Sequence, residues 1–465
     1  MADSKKRKAP DEEAAVTPRK IVHRDFPGSD LSGVKDNFYR ELYNKEVDFR
    51  SLAKQDADFA AIIKSNGQLD FTDPKAVMQL TKTLLKLDFG LKLELPDDRL
   101  CPPVPNRHNY ILWLKSLLDS TSYSPFTRKV TGIDIGTGAS CIYPLIGVTQ
   151  RPSWYFIGTD IDAKSLVYAR RNVELNGLQD RIRIVAKNRD DAHLLPLDDV
   201  DLDKVDFVMC NPPFYTSDED MVNSAEKKAR PPNSVCTGAP VEMVCEGGEV
   251  TFTTRLLEDS LHFRERVQWY TTMFGKLTSL QEFVGKLREK GIDNYAVTEF
   301  VQGNKTKRWA VGWSFGSMRP SDEAARGVKG ALWKGLLPPV VEVEIGKANL
   351  KDGVRPLEER LSVVVGGLEL MEWNWDKEKL RGVGRARENV WSRAWRRRKM
   401  REEKEGKANG AEDVKSDGEC EFGFLVSARV SNTEATINLR WLEGHDNGLF
   451  ESFAGWLKTQ MKSFL

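Results

Sequence analysis

Apolar positions change their period along the chain, and the changes divide it into segments. Between Asn37 and Gly90 the spacing is helical: Phe49, Leu52, Phe59, Ile62 and Ile63 form one set, and Val77, Leu80, Leu84 and Leu85 a second. Thr72-Asp73-Pro74 supplies a cap and a first-turn proline for the second set. Leu100–Arg107 reads as a proline-stiffened loop before a helix at Tyr110–Leu118. From residue 130 short apolar runs closed by polar residues take over. Val130–Ile135, Trp154–Thr159, Arg181–Ala186 and the run from Lys204 to Cys210 read as strands, with a helix over Ala163–Asn176. A helix over Thr254–Tyr270 and an alternating hairpin over Tyr295–Phe315 follow. Past residue 337, Val340–Ile345 and Leu361–Trp375 read as strands and Gly382–Arg401 as a helix. Phe422–Val430 with Ala435–Trp441 forms a hairpin, and Leu449–Phe464 closes as an amphipathic helix. The expected plan is a tail over 1–30, a helical extension over 31–120 and an α/β domain over 121–318. A linker over 319–337 and a small α+β domain over 338–465 complete it, the latter interrupted by a charged low-complexity insertion at 402–419.

Composition narrows the function classes. At 465 residues the chain can build two or three cores. Charged residues make up 30% but nearly cancel, to a net +1, so nucleic acid could be held only by local patches. The six cysteines (101, 141, 210, 236, 245 and 420) contain no CxxC pair, and neither a bilayer-length apolar run nor a secretory signal is visible. That suits an intracellular, soluble protein with reduced thiols and no metal site. Residues 1–30 are too polar to fold alone, and Lys5-Lys6-Arg7-Lys8 ahead of Pro10 reads as a nuclear import signal.

Chemistry concentrates between residues 130 and 214. Val130–Gly138 runs an apolar strand into Gly136-Thr137-Gly138, a turn that lets a ligand approach backbone closely. It lacks the third glycine of a dinucleotide fingerprint and resembles the first motif of Rossmann-like methyltransferases. The next strand ends in Asp160-Ile-Asp162, where an acid is placed to bind two ribose hydroxyls; Asp160 is preferred, with Asp162 as a helix cap. The loop Lys187–His193 is where adenine rests in this architecture, and Asp190 or Asp191 is positioned to meet its amino group. Asn211-Pro212-Pro213-Phe214 then halts a strand at the sheet edge where ligands bind. The Asn211 side-chain oxygen and the Pro212 carbonyl can both accept from an exocyclic amine, and Phe214 offers its ring a face. The tetrapeptide is similar to the catalytic motif of amino-group methyltransferases that use S-adenosylmethionine.

Longer motifs add resolution. Cys101–Arg107, Gly132–Pro144, Cys210–Phe214, Arg230-Pro-Pro-Asn-Ser-Val, Glu246-Gly-Gly-Glu249 and Thr298–Gly303 with Arg308-Trp309-Ala310 resemble the methyltransferase-like sixteen family. Its members are eukaryotic adenine-N6 methyltransferases of U6 small nuclear RNA, related to a bacterial enzyme acting on large-subunit ribosomal RNA. The resemblance covers about residues 35–318. It implies a Rossmann-like class I methyltransferase sheet with an RNA-binding N-terminal extension and a C-terminal domain adding RNA affinity. It also implies Arg107, Gly136, Asp160 and Asn211 as cofactor or catalytic contacts, with Gly138 in the same turn. Asp160 departs from the family, where this acid is commonly Glu.

Basic residues outside that region suit RNA. Lys227, Lys228 and Arg230 lie in the long segment after the catalytic motif, expected to grip substrate. Lys305, Lys307 and Arg308 sit beside Trp309 in the hairpin, and Arg396, Arg397 and Arg398 in the C-terminal domain. The expected activity is methylation of adenine N6 in a structured RNA, U6 small nuclear RNA first. A non-catalytic RNA-binding factor on the same fold and a protein glutamine methyltransferase are the rival readings.

Overall fold

The computed structural model of the chain describes residues 31–124, 129–217, 219, 238–302, 306–328, 333, 335–351, 353–404 and 419–464. The described chain falls into two compact units, one ending at Leu93 and one beginning at Glu94.

The first unit is helical: α1 (Leu31–Glu41), α2 (Phe49–Gln55), α3 (Ala57–Ala60) and α4 (Pro74–Phe89). The apolar set from Phe49 to Ile63 makes two short helices because Asp56 takes an extended conformation between them and caps α3 through the Asp58 N–H. Asp73 caps α4 through the Lys75 N–H, with Pro74 at the first position and Gly90 in the left-handed conformation at its end. Phe59 is fully buried, and Phe49 reaches both it and Phe71.

The second unit holds an eight-stranded sheet of β1 (Val130–Ile135), β2 (Trp154–Asp160), β3 (Ile182–Ala186), β4 (Val205–Cys210), β5 (Val267–Phe274), β6 (Tyr295–Gln302), β7 (Thr306–Trp313) and β8 (Arg326–Gly327). The order is β3-β2-β1-β4-β5-β7-β6-β8, parallel from β3 through β5 and antiparallel at β7. Helices α5 (Val104–Ser120), α6 (Ile142–Gln150) and α7 (Ala163–Leu175) precede β4. The helices α8 (Pro240–Met243), α9 (Gly248–Phe263), α10 (Leu277–Glu289) and α11 (Asp322–Ala325) follow it. This is the expected Rossmann-like α/β architecture. Its fully buried tryptophans keep their indole N–H satisfied, Trp269 on Thr121 (3.1 Å) and Trp313 on Ser260 (2.9 Å). The helix expected over Thr254–Tyr270 is α9, shifted toward the N-terminus, and the apolar run from Val267 belongs to β5.

A second sheet, antiparallel in the order β10-β11-β12-β13-β9, is built from β9 (Glu342–Asn349), β10 (Glu372–Asp376), β11 (Arg381–Ala386), β12 (Phe422–Val430) and β13 (Glu434–Glu443). With α12 (Arg355–Gly366), α13 (Arg393–Lys404) and α14 (Asn447–Met461) it encloses a core around Phe422, Phe424, Trp441 and Phe453. Leu361–Trp375 is not the expected strand. Its first half belongs to α12, which has Pro356 in its first turn and buries Leu357, Leu361 and Val365 at four-residue spacing. Gly382–Arg401 is not one helix either: β11 alternates, with Gly382, Gly384 and Ala386 facing inward, and only the end is helical.

Within 319–337, expected as a linker, the described residues join the fold. Val328 and Trp333 belong to the core of the large sheet, and β8 pairs with β6. Arg319 is 2% exposed: its guanidinium lies 4.3 Å from the Trp441 ring centroid, donates to the Gly444 carbonyl (2.9 Å) and meets Asp293 (3.4 Å). Main-chain bonds from Arg319 to Leu442 (2.8 Å) and from Gly444 to Ser317 (2.9 Å) join the two sheets here. Replacing Arg319 with Ala removes a desolvated cation–π contact and a buried hydrogen bond, at a cost of about 2–4 kcal/mol. Calorimetry is expected to show a lower thermal midpoint and a C-terminal sheet that unfolds before the catalytic one.

Candidate active site

The site grows from the end of β4, between β1 and β5. Thr271 on β5 donates its hydroxyl to the Val208 carbonyl (2.8 Å), and the Tyr110 hydroxyl of α5 meets Thr271 at 2.8 Å, so the strand end is fixed from two sides. Beyond Cys210 neither Pro212 nor Pro213 has an N–H to continue the ladder. The Asn211 Oδ1 is buried and accepts no hydrogen bond among the described residues. Phe214, half-buried, packs where a Cβ at Gly275 would intrude to 2.9 Å. Buried Glu249 accepts the N–H groups of Gly275 (2.6 Å) and Lys276 (3.1 Å) and so holds that turn against the ring. The Arg308 guanidinium stands 5.2 Å from the Phe214 centroid. Burial, and then the like charge of Arg107, lower its pKa.

The glycine turn closes the next wall. Gly136 and Gly138 have φ of +71° and +66°, the region that favours glycine. The Asp160 carboxylate accepts the Gly138 N–H at Oδ2 (2.8 Å) and the Asp162 N–H at Oδ1 (2.9 Å). Asp162 itself caps α7 through the Ser165 N–H (2.8 Å) and holds Arg99 (2.9 Å). Beneath the turn Asp134 is 1% exposed, and neither of its oxygens has a hydrogen-bond partner among the described residues. Burial pushes its pKa from 3.8 up to about 7; Thr137 and Arg107 counter this and Asp160 adds to it.

Asn211 and the glycine turn with Asp160 line a cavity of about 510 Å³, within the range of small-molecule sites, while Phe214, Glu249, Arg308 and Asp134 lie off its wall. Of the expected residues, Arg107, Gly136, Gly138, Asp160, Asn211, Pro212 and Pro213 share its wall. Arg107 comes from the first turn of α5 rather than from a loop, is buried, and donates to the Tyr143 hydroxyl (3.1 Å). Asp190 is exposed and off the wall; Asp191 is turned to Lys187 (3.1 Å) and the Asn188 N–H (2.9 Å). Lys187, Asn188, Arg189 and His193 line the cavity from that loop instead. Lys307 is paired with Glu299 (3.0 Å), and Arg398 with Glu388 (2.6 Å). Lys227, Lys228, Arg230 and Lys305 lie outside the described residues.

The donor set fits S-adenosylmethionine. Arg107 suits its methionyl carboxylate, Asp160 suits the ribose diol, and Ile161, apolar and 43% exposed, offers a surface for a planar base. Sequence reasoning passed over Ile161, Glu242 and Glu249. Glu249 carried one signal, its place in Glu246-Gly-Gly-Glu249; Glu242 carried none, since only the fold brings it to the cavity.

Residues 34–317 match the model of a family described as RNA methyltransferase. The chain is 36% identical to the U6 small nuclear RNA (adenine-(43)-N(6))-methyltransferase of Schizosaccharomyces pombe, over 85% of this chain and 96% of that one. It is 43% identical to the human RNA N(6)-adenosine-methyltransferase METTL16, over 58% of this chain but about half, 49%, of that protein. Among solved structures, the human METTL16 catalytic domain in complex with a MAT2A 3'UTR hairpin is 42% identical with a TM-score of 0.54, covering 59% of this chain and 94% of that one. With the matched segment spanning the glycine turn, the acid of β2 and the Asn211 motif, the chain belongs to the RNA methyltransferase family.

Proposed function

We propose that this protein transfers a methyl group from S-adenosylmethionine to N6 of an adenine in a structured RNA, with U6 small nuclear RNA as the first candidate substrate. The observation that carries the reading is the buried, unpartnered Asn211 Oδ1 at the open end of β4. A buried acceptor without a donor is rare unless a ligand supplies one. The exocyclic amine of adenine supplies two N–H groups, one for Asn211 and one for the Pro212 carbonyl. Holding both aims the nitrogen lone pair across the cavity, and Phe214 fixes the plane of the ring. The cofactor would supply a sulfonium-bound methyl group: as the nitrogen attacks it, the methyl–sulfur bond would break, S-adenosylhomocysteine would leave as a neutral thioether, and the surplus amine proton would pass to solvent. The protein's contribution is chiefly positioning. An adenine inside a helix cannot reach Asn211, so the substrate base must leave its stack.

RNA is the favoured acceptor because two relatives are named for adenosine N6 in RNA, and because the chain carries an unneutralised basic face. On α13, Arg393, Arg396, Arg397 and Arg401 are exposed, make no ion pair among the described residues, and fall on one side of the helix. Arg308 above Phe214 suits the flipped nucleotide better than a distant phosphate. A U6 substrate also places the protein in the nucleus, in keeping with the basic run at Lys5–Lys8.

Asn211→Ala is expected to abolish label transfer from S-adenosylmethionine to the N6 position of a U6 transcript while cofactor affinity stays within a few-fold; label on protein glutamine would overturn the RNA reading. Arg396→Gln with Arg397→Gln should weaken RNA binding and reduce the salt slope of the affinity by about 2. Arg398→Gln, already paired with Glu388, should change it less. A third test concerns the unliganded protein. Asp134 keeps its proton to about pH 7 when folded but loses it near 3.8 when unfolded. Its contribution to stability is therefore complete below the lower value and lost as pH rises through the higher one. Asp134→Asn, which stays neutral, should gain thermal midpoint relative to the parent as pH goes from 5 to 8.

A further inference from the structure

Both oxygens of Asp160 already hold backbone N–H groups, those of Gly138 and Asp162. A second carboxylate stands over the same turn. Glu242, from α8, accepts the N–H groups of Leu100 and Ala239 at one oxygen, Oε2, each at 2.9 Å. Its other oxygen, Oε1, makes no hydrogen bond among the described residues and faces the turn: a Cβ added at Gly138 would lie 3.8 Å from it. Glu242 lines the cavity together with Asp160, so the two carboxylates flank Gly138. Burial first, and then the charge of Asp160, raise its pKa; the backbone donors and Arg99 counter this.

We infer that Glu242 is a cofactor-binding residue: its Oε1 accepts a hydroxyl of the ribose diol of S-adenosylmethionine, sharing that task with Asp160. Two carboxylates that repel each other across one glycine are brought together by a ligand that presents two adjacent donors, and a vicinal diol does so. The latch to Leu100 and Ala239 holds Oε2, so Oε1 is aimed before the ligand arrives. This rests on the cofactor assignment made above.

The test is calorimetric titration of the full chain with S-adenosylhomocysteine and with its 2'-deoxy, 3'-deoxy and desamino analogues. Glu242→Gln keeps a carbonyl oxygen for the two backbone donors and presents an amide donor to the cavity. It should bind S-adenosylhomocysteine roughly tenfold to a hundredfold more weakly than the parent, as loss of a charged hydrogen bond implies. It should bind at least one deoxy analogue as tightly as the parent does. The thermal midpoint without ligand reports that the variant is folded, and Glu242→Asp, which withdraws the same oxygen, serves as the second variant. An equal loss for every ligand would overturn the inference and leave Glu242 as a latch. A loss that vanishes only with the desamino analogue would overturn it in favour of the ammonium group. Failure of the parent to bind S-adenosylhomocysteine would instead sink the cofactor assignment itself.

Discussion

A side-chain oxygen held in the interior with nothing to accept from raises the free energy of the unliganded protein, and the fold around Asn211 is arranged to keep it there. Pro212 and Pro213 deny the strand any further pairing, while Thr271 and Tyr110 hold β4 by the Val208 carbonyl. The amide therefore cannot relax toward a backbone donor of its own strand. An unmet acceptor suits a ligand that brings its own donor, and an acceptor set in advance needs no reorganisation when that donor arrives. Much of the surrounding structure serves that purpose: Glu249 ties the Gly275 turn against Phe214, and Arg308 covers the ring.

The cofactor side follows a different electrostatic logic. Three carboxyl groups, Asp134, Asp160 and Glu242, are gathered near one glycine turn, and burial raises the pKa of each. Arg107 lies close enough to Asp134 to counter that rise and close enough to Arg308 to lower its pKa. Carboxyls and a guanidinium gathered around one cavity match a ligand that carries both charges and a diol. Such an arrangement is costly while empty, because buried charge is poorly solvated, and the ligand offsets that cost.

The joint at Arg319 gives the C-terminal sheet a fixed relation to the catalytic sheet. Main-chain hydrogen bonds and a buried guanidinium leave little freedom between Ser317 and Gly444.

The residues that local geometry brings to the cavity wall were legible in the sequence. A glycine turn after an apolar strand, an acid closing the next strand and a proline pair halting the fourth are local devices, and each appears where its own neighbours require it. Strand and helix periods likewise located most of the large sheet. What the sequence could not decide were features that depend on distant partners. Asp190 and Asp191 are equivalent in pattern, yet the turn fixed by Asn188 and Lys187 takes Asp191 and leaves Asp190 in solvent. Leu361–Trp375 has the β-branched composition of a strand but buries its apolar residues at helical spacing, and β11 hid its alternation behind inward glycines. Arg319 and Glu242 read as ordinary polar residues. Burial against Trp441 and approach to Gly138 are properties of the assembled fold, because only tertiary packing sets which charges lose their water and what they face.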